Sequence, residues 1–205
     1  MSARPPIVLR DADREDAAAL ITLWRDCAET SRDEGLDVMV ASALWREPGV
    51  AEAAAALELN LSHPDKRIIV ALVEGEIVGA VMCDVSTTTP INLTRVLVVT
   101  ELQVLPRFRR KSVASTLLSA AANYGEEFNC EVVAALTPAH AREPNRFLTK
   151  LGFSQVSVMR IAQASMVRSK LSSKATNSRD TGKLIAVRRT LRRRQLESRK
   201  LRPRP

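Results

Sequence analysis

Four basic side chains, Arg107, Arg109, Arg110 and Lys111, fall within the five-residue stretch RFRRK, between Pro106 and Ser112. The apolar run RVLVVTELQVL precedes it, and KSVASTLLSAAANYGEEF, a run of helix-favouring residues, follows. A charge run by itself reads as a solvated turn. The order strand, basic turn, helix start reads instead as an anion pocket. The first turn of a helix carries backbone N–H groups with no intrahelical acceptor and sits at the positive end of the helix dipole. Added cations favour a multiply charged anion, held by the amides and side chains of Arg109, Arg110, Lys111, Ser112, Val113, Ala114 and Ser115. Pro106 has no N–H, so strand pairing is expected to lapse around Leu105–Pro106, leaving backbone at Gln103 and Val104 to pair with an amide-bearing arm. A diphosphate joined to such an arm describes coenzyme A. Glu101 is the one carboxylate on the same strand, and strand alternation sets it on a face with Gln103, opposite Leu102 and Val104. A carboxylate on a mostly apolar strand stands out, and an edge or ion-paired glutamate is its plainer reading.

Elements at fixed places must position these groups. IVLR, residues 7–10, predicts a first strand, and Asp11 or Asp13 caps a helix with apolar positions Ala17, Leu20, Ile21, Trp24 and Cys27. VMVASALWREPGVAEAAAALELNLS predicts one or two helices interrupted at Pro48-Gly49. RIIVALV and IVGAVMCDVS are β-rich runs separated by Glu74-Gly75-Glu76, a hairpin signal, and the run to Leu105 completes a meander. CEVVAAL predicts a buried strand, AREPNRFLTKLGF a short helix closed by Gly152, and SQVSVMRIAQAS a last strand. The sum is a mixed α+β domain: a central, mostly antiparallel sheet flanked by helices.

The turn and helix start resemble the acetyl-CoA-binding motif of the GNAT (Gcn5-related N-acetyltransferase) superfamily, with Val104, Pro106, Phe108, Arg109, Val113, Ala114, Leu117 and Leu118 in register. NRFLTKLGF resembles the family's closing xRFYEKLGF through Arg146, Phe147, Lys150, Leu151, Gly152 and Phe153. The resemblance covers residues 6–165 and implies a splayed sheet, acetyl-CoA as co-substrate, Glu101 as the group that deprotonates an amine-bearing acceptor, and a strand amide near Val104 as oxyanion donor. Many relatives are dimers, so it also raises a homodimer. Two positions depart from the pattern. Ser112 stands where glycine is usual, and Leu148 where a tyrosine often protonates the leaving thiolate. The only tyrosine, Tyr124, reads as a packing residue. Trp24 and Trp45 read as core or groove residues, either of which could contact substrate.

Charge divides the chain of 205 residues. From Arg168 onward there are 14 Lys+Arg against 2 Asp+Glu, a net of +12, leaving 17 against 21, a net of −4, before it. Residues 166–205 therefore read as a basic linker and tail. Within them, residues 183–204 carry arginines without aromatic residues, which points to RNA or DNA phosphate contact. A disordered end, an anionic membrane surface and the acidic domain itself are the other readings of this tail. Cys27, Cys83 and Cys130 are dispersed in apolar segments, and His63 and His140 are isolated, so neither a disulfide framework nor a metal site is expected. No stretch has signal-peptide or membrane-span character, and a soluble, cytoplasmic protein is expected. Two functions fit: an N-acetyltransferase, or a GNAT-like adaptor with little or no turnover whose basic tail binds nucleic acid or a ribonucleoprotein.

Overall fold

A computed structural model describes residues 5–32, 46–138 and 141–172. The chain separates into two compact units, Met1–Val156 and Ser157–Pro205. The first holds one five-stranded sheet in the order β1-β2-β3-β4-β5. The strands are β1 (Val8–Asp11), β2 (Lys66–Val73), β3 (Glu76–Thr87), β4 (Arg95–Val104) and β5 (Val132–Ala135). Pairing is antiparallel except between β4 and β5. The helices are α1 (Ala17–Arg32), α2 (Val50–Leu61), α3 (Val113–Glu127) and α4 (Arg142–Lys150).

β2 turns into β3 through Glu74 and Gly75, at φ +52° and +82°. Two successive positive φ values match the right-handed twist of a two-residue hairpin, as the Glu-Gly pair predicts. β3 is buried without a break from Ile77 to Val81, so the sheet is covered on both faces here. α1 and α3 both pack on β3. The core between sheet and helices is built on Leu23, Val70, Val78, Val81, Leu97, Val99, Val113 and Leu117. Gly49 caps α2, which accounts for the predicted break at Pro48-Gly49; residues 33–45, Trp45 among them, lie outside the described residues. Gly152, at φ +92°, follows α4 as expected.

The first helix is entered through a short 3-10 turn, Arg14–Asp16, closed by a reciprocal capping box between Asp13 and Asp16. Asp16 is buried, and its two oxygens accept both terminal nitrogens of Arg10 at 2.6 Å while Oδ2 also accepts the Asp13 amide at 2.9 Å. The hydrogen-bonded Arg10 guanidinium holds this carboxyl below the usual carboxylate range, against the opposing effect of burial. A depressed folded-state value contributes stability above the unfolded value, about 3.9, and that contribution is lost as pH falls through the folded one. Asp16→Asn should therefore cost about 1–3 kcal/mol at pH 7 by urea denaturation. The gap to wild type should close in acid. A gap of equal size at pH 2.5 and pH 7 would contradict this assignment.

One expected strand is not formed. Residues 153–163 carry no strand, and 164–172 are helical. Val156 and Val158, which alternate as a strand would, are both exposed. A strand exists only through its partner's hydrogen bonds, and after Ala162 the composition, with Ala, Met, Lys and Leu, favours helix. The basic tail at residues 183–204 lies outside the described residues. Among the described residues no helix is long and apolar enough to cross a membrane.

Candidate active site

β4 opens away from β5. The parallel pairing runs only from Val96↔Val132 to Val99↔Ala135, with one more bond from the Leu136 amide to Val99 O. On its other side β4 stays paired to β3 through Val104, and the Leu105 amide still donates to Val78 O at 2.9 Å. Pairing with β3 thus lapses at Leu105–Pro106 as expected, whereas the opening toward β5 lies further back along the strand. The opening begins at Thr100, on the β5 side alone, and Pro106 does not cause it.

A bulge accompanies the opening. Met82 pairs with Thr100 and Ala80 with Gln103, so Glu101 and Leu102 together face the single residue Val81. Glu101 takes φ +50°, a left-handed conformation that a non-glycine residue adopts at a cost. Its carboxylate is exposed, and Oε2 accepts hydrogen bonds from Trp24 Nε1 at 3.0 Å and from Gln103 Nε2 at 3.2 Å. The bulge interrupts the alternation expected of Glu101 and Gln103, since Gln103 now shares a face with Thr100, and the hydrogen bond joins the two side chains across it. One turn further along α1, Cys27 Sγ donates to Val104 O at 3.4 Å. Burial pushes the Cys27 thiol up to about 11, with the Arg109 charge acting the other way, so it stays protonated at neutral pH. Trp24 and Cys27, three apart on a helix, thus seat α1 on Glu101 and Val104, three apart on β4.

Beyond β4 the chain makes a 3-10 turn, Pro106–Phe108, and then places Arg110 and Ser112 at φ +59° and +68°. α3 begins at once; the Thr116 amide reaches back to Ser112 O at 2.9 Å. The amides of Val113, Ala114 and Ser115 precede that first bond, and no side chain at Ser112 caps them. An N-cap serine folds its hydroxyl back from an extended backbone; left-handed Ser112 does not. The helix start is thereby left to another acceptor. Glycine is usual at this position because its backbone takes positive φ without penalty. Ser112→Gly should raise stability by up to about 1.5 kcal/mol, the relief of a left-handed residue, about 1–2, less glycine's entropy, about 0.5–1. A thermal melt that falls rather than rises would contradict this.

The basic side chains divide their work. Arg107 is ion-paired to Glu76 and, with Lys111, brackets the Phe108 ring, at 5.4 and 4.9 Å from its centre. Arg110 Nε donates to Glu143 Oε1 at 3.0 Å, and Arg109 NH1 lies 3.9 Å from Glu143 Oε2. Glu143, in the first turn of α4, therefore faces Arg109 and Arg110 of the basic turn. Val113 is fully buried, while Lys111, Ser112 and Ser115 are exposed and Ala114 is half-buried.

Close approach of α3 to the sheet depends on Gly79 in β3. A Cβ there would lie 2.9 Å from Gln103 O, 2.9 Å from Val113 Cγ1 and 3.1 Å from Leu117 Cδ1. The sequence reading assigns no place at the site to Gly79, Glu143 or Cys27, the last of which reads only as an apolar helix position. A glycine inside a β-rich run, IVGAV, was the available signal for the first. Tyr124 packs as expected: it is buried, stacks edge-on to Phe128 with centroids 5.0 Å apart, and donates to Pro64 O at 3.4 Å. Leu148 is buried in the core. Among the described residues no cluster of side chains suits a metal ion.

A splayed strand bearing a carboxylate, running through a basic turn into an uncapped helix start, is the framework of an acyl-transfer fold. The chain belongs to the acetyltransferase (GNAT) family, whose model matches residues 21–153. It is 24% identical over 147 residues to the uncharacterized N-acetyltransferase YhfO of Bacillus subtilis (strain 168), spanning 72% of this chain and 89% of that protein. The fold resembles a transcriptional regulator from Bacillus halodurans C-125, with TM-score 0.64 and 17% identity over 77% of this chain and 100% of that one. It also resembles the aminoglycoside N-acetyltransferase AAC(6')-Iy in complex with CoA, with TM-score 0.61 and 16% identity over 80% of this chain and 97% of that one.

Proposed function

We propose that the protein is an N-acetyltransferase that moves an acetyl group from acetyl-CoA to a primary amine by direct attack. The observation that carries this reading is the meeting of two features on one continuous segment. Strand β4 is open from Thr100 and presents Glu101, and nine residues past Val104 the same chain begins a helix with no side-chain cap, preceded by Arg109 and Arg110.

The residues fit the co-substrate. Of the backbone at Gln103 and Val104, the Gln103 carbonyl is turned toward Gly79 of β3 and the Val104 carbonyl already accepts the Cys27 thiol, so the Val104 N–H, on the side away from β3, is the group that suits the pantetheine arm. The Val113, Ala114 and Ser115 amides, with Arg109, Arg110, Lys111 and Ser112 beside them, suit the diphosphate. Gly79 keeps that helix start close to the strand. The Leu105 amide is already bonded to Val78 O, so the strand amide available to a developing oxyanion comes from the open stretch before it. Attack on a thioester needs a neutral amine held near the carbonyl. Glu101 Oε2 is held by its two donors, which leaves Oε1 to take the amine proton. Leu148 has no proton to give, so the thiolate departs as the anion or takes a proton from water.

Calorimetry with acetyl-CoA, followed by thiol release over spermidine, kanamycin, an N-terminal peptide and a lysine peptide, tests the reading. Binding with release for at least one amine is expected. Binding with no release for any amine contradicts it and leaves the adaptor reading, which buried Leu148 favours. The 183–204 tail is proposed to contact RNA or DNA phosphates through its arginines, making the domain 6–165 separable from the extension 166–205. Deleting residues 170–205 should sharply weaken retention on heparin, and unchanged retention would overturn that assignment.

A further inference from the structure

We propose that Trp24 is a positioning residue for Glu101: its indole N–H, together with the Gln103 side-chain amide, fixes Oε2 and so aims Oε1 at the acceptor amine. The inference rests on the reading of Glu101 as the base. An exposed glutamate ordinarily samples many rotamers, and ordering one costs conformational entropy. Here the side chain leaves the strand from a bulge at φ +50°, and two N–H donors converge on a single oxygen at 3.0 and 3.2 Å. Hydrogen bonds to a charged group are the stronger kind, and a tryptophan N–H can only donate.

The placement of the donor is set by the fold. Trp24 is half-buried and packs against the core, and the Cys27 bond to Val104 O fastens the same helix to the same strand one turn on. α1 therefore delivers the indole to Glu101 as part of its docking. Each change in how α1 sits on β4 is transmitted to the proton acceptor. Gln103, two residues along the strand, holds the same oxygen from the other side of the bulge and restricts rotation about the carboxylate.

Two measurements on the full chain decide the point. In the ligand-free protein, the indole N–H resonance of Trp24, assigned with Trp24→Phe, should move upfield in Glu101→Gln; an unmoved resonance overturns the proposal. With the amine that gives the fastest thiol release in the panel above, Trp24→Phe should lower kcat about 10-fold while KM for acetyl-CoA stays within about twofold. In a Glu101→Gln background the same change should lower kcat no further, because the two residues act as one unit. A kcat sensitive to Glu101→Gln but not to Trp24→Phe overturns the positioning role and leaves the base intact. Turnover insensitive to Glu101→Gln, or absent with every amine, overturns the base and this inference together.

Discussion

Glu101→Gln lowers kcat by about 10²- to 10⁴-fold, the range by which a positioned base usually accelerates proton transfer, while acetyl-CoA affinity by calorimetry is unchanged. Both halves of the expectation follow from where the residue stands. Glutamine preserves the shape of the side chain and can still accept the Trp24 and Gln103 hydrogen bonds through its carbonyl oxygen. It cannot take a proton from an ammonium. The helix start that suits the diphosphate lies beyond the 3-10 turn, and none of its residues bonds to the Glu101 side chain, so the binding step should not register the change. A variant that keeps full kcat would remove Glu101 from the chemistry and return it to the edge-glutamate reading. A variant that loses affinity in parallel would place it in cofactor binding.

Gly79→Ala is expected to weaken CoA binding about tenfold or more and to cost about 1–3 kcal/mol of stability, the usual cost of overpacking. The new methyl group meets a backbone oxygen, that of Gln103, at 2.9 Å, and backbone in a paired strand yields little. The remaining freedom lies on the other side. Val113 Cγ1, also at 2.9 Å, belongs to the first residue of α3, so relief tilts the helix start away from β4 and takes its amides with it. Gly125→Ala is the control. Its Cβ would lie 3.2 Å from Leu97 Cβ and Cδ2, near the far end of the same helix, and alanine's better helix propensity offsets the crowding. That variant should retain CoA affinity. Equal losses from both variants would mean general destabilisation, without the local displacement argued here.

The parts of the site that are local in sequence were legible in it. A basic turn between an apolar run and a helix, with small residues at the helix start, needs only neighbours along the chain to be recognised, and so do the Glu74-Gly75 hairpin and the Gly152 helix stop. What sequence could not show depends on register or on distant partners. The Glu101 bulge exists because β3 offers one residue, Val81, opposite two on β4. Trp24 meets Glu101 across 77 positions, and Cys27 meets Val104 across the same span. Gly79 matters only once α3 docks above it, and Glu143 only once α4 faces the basic turn. The last strand was misread for the converse reason: Val156 and Val158 alternate as a strand would, but alternation reports a face, whereas pairing decides a strand. Pro106 was likewise credited with an opening that starts at Thr100.

Amide hydrogen exchange with and without CoA tests the central claim most directly, because the account assigns the nucleotide end of the co-substrate to backbone N–H groups. Exchange should slow on adding CoA in peptides spanning residues 100–104 and 109–115, with little change along β1 and β2. CoA binding that protects other segments and leaves 109–115 exchanging as in the free protein would contradict the account.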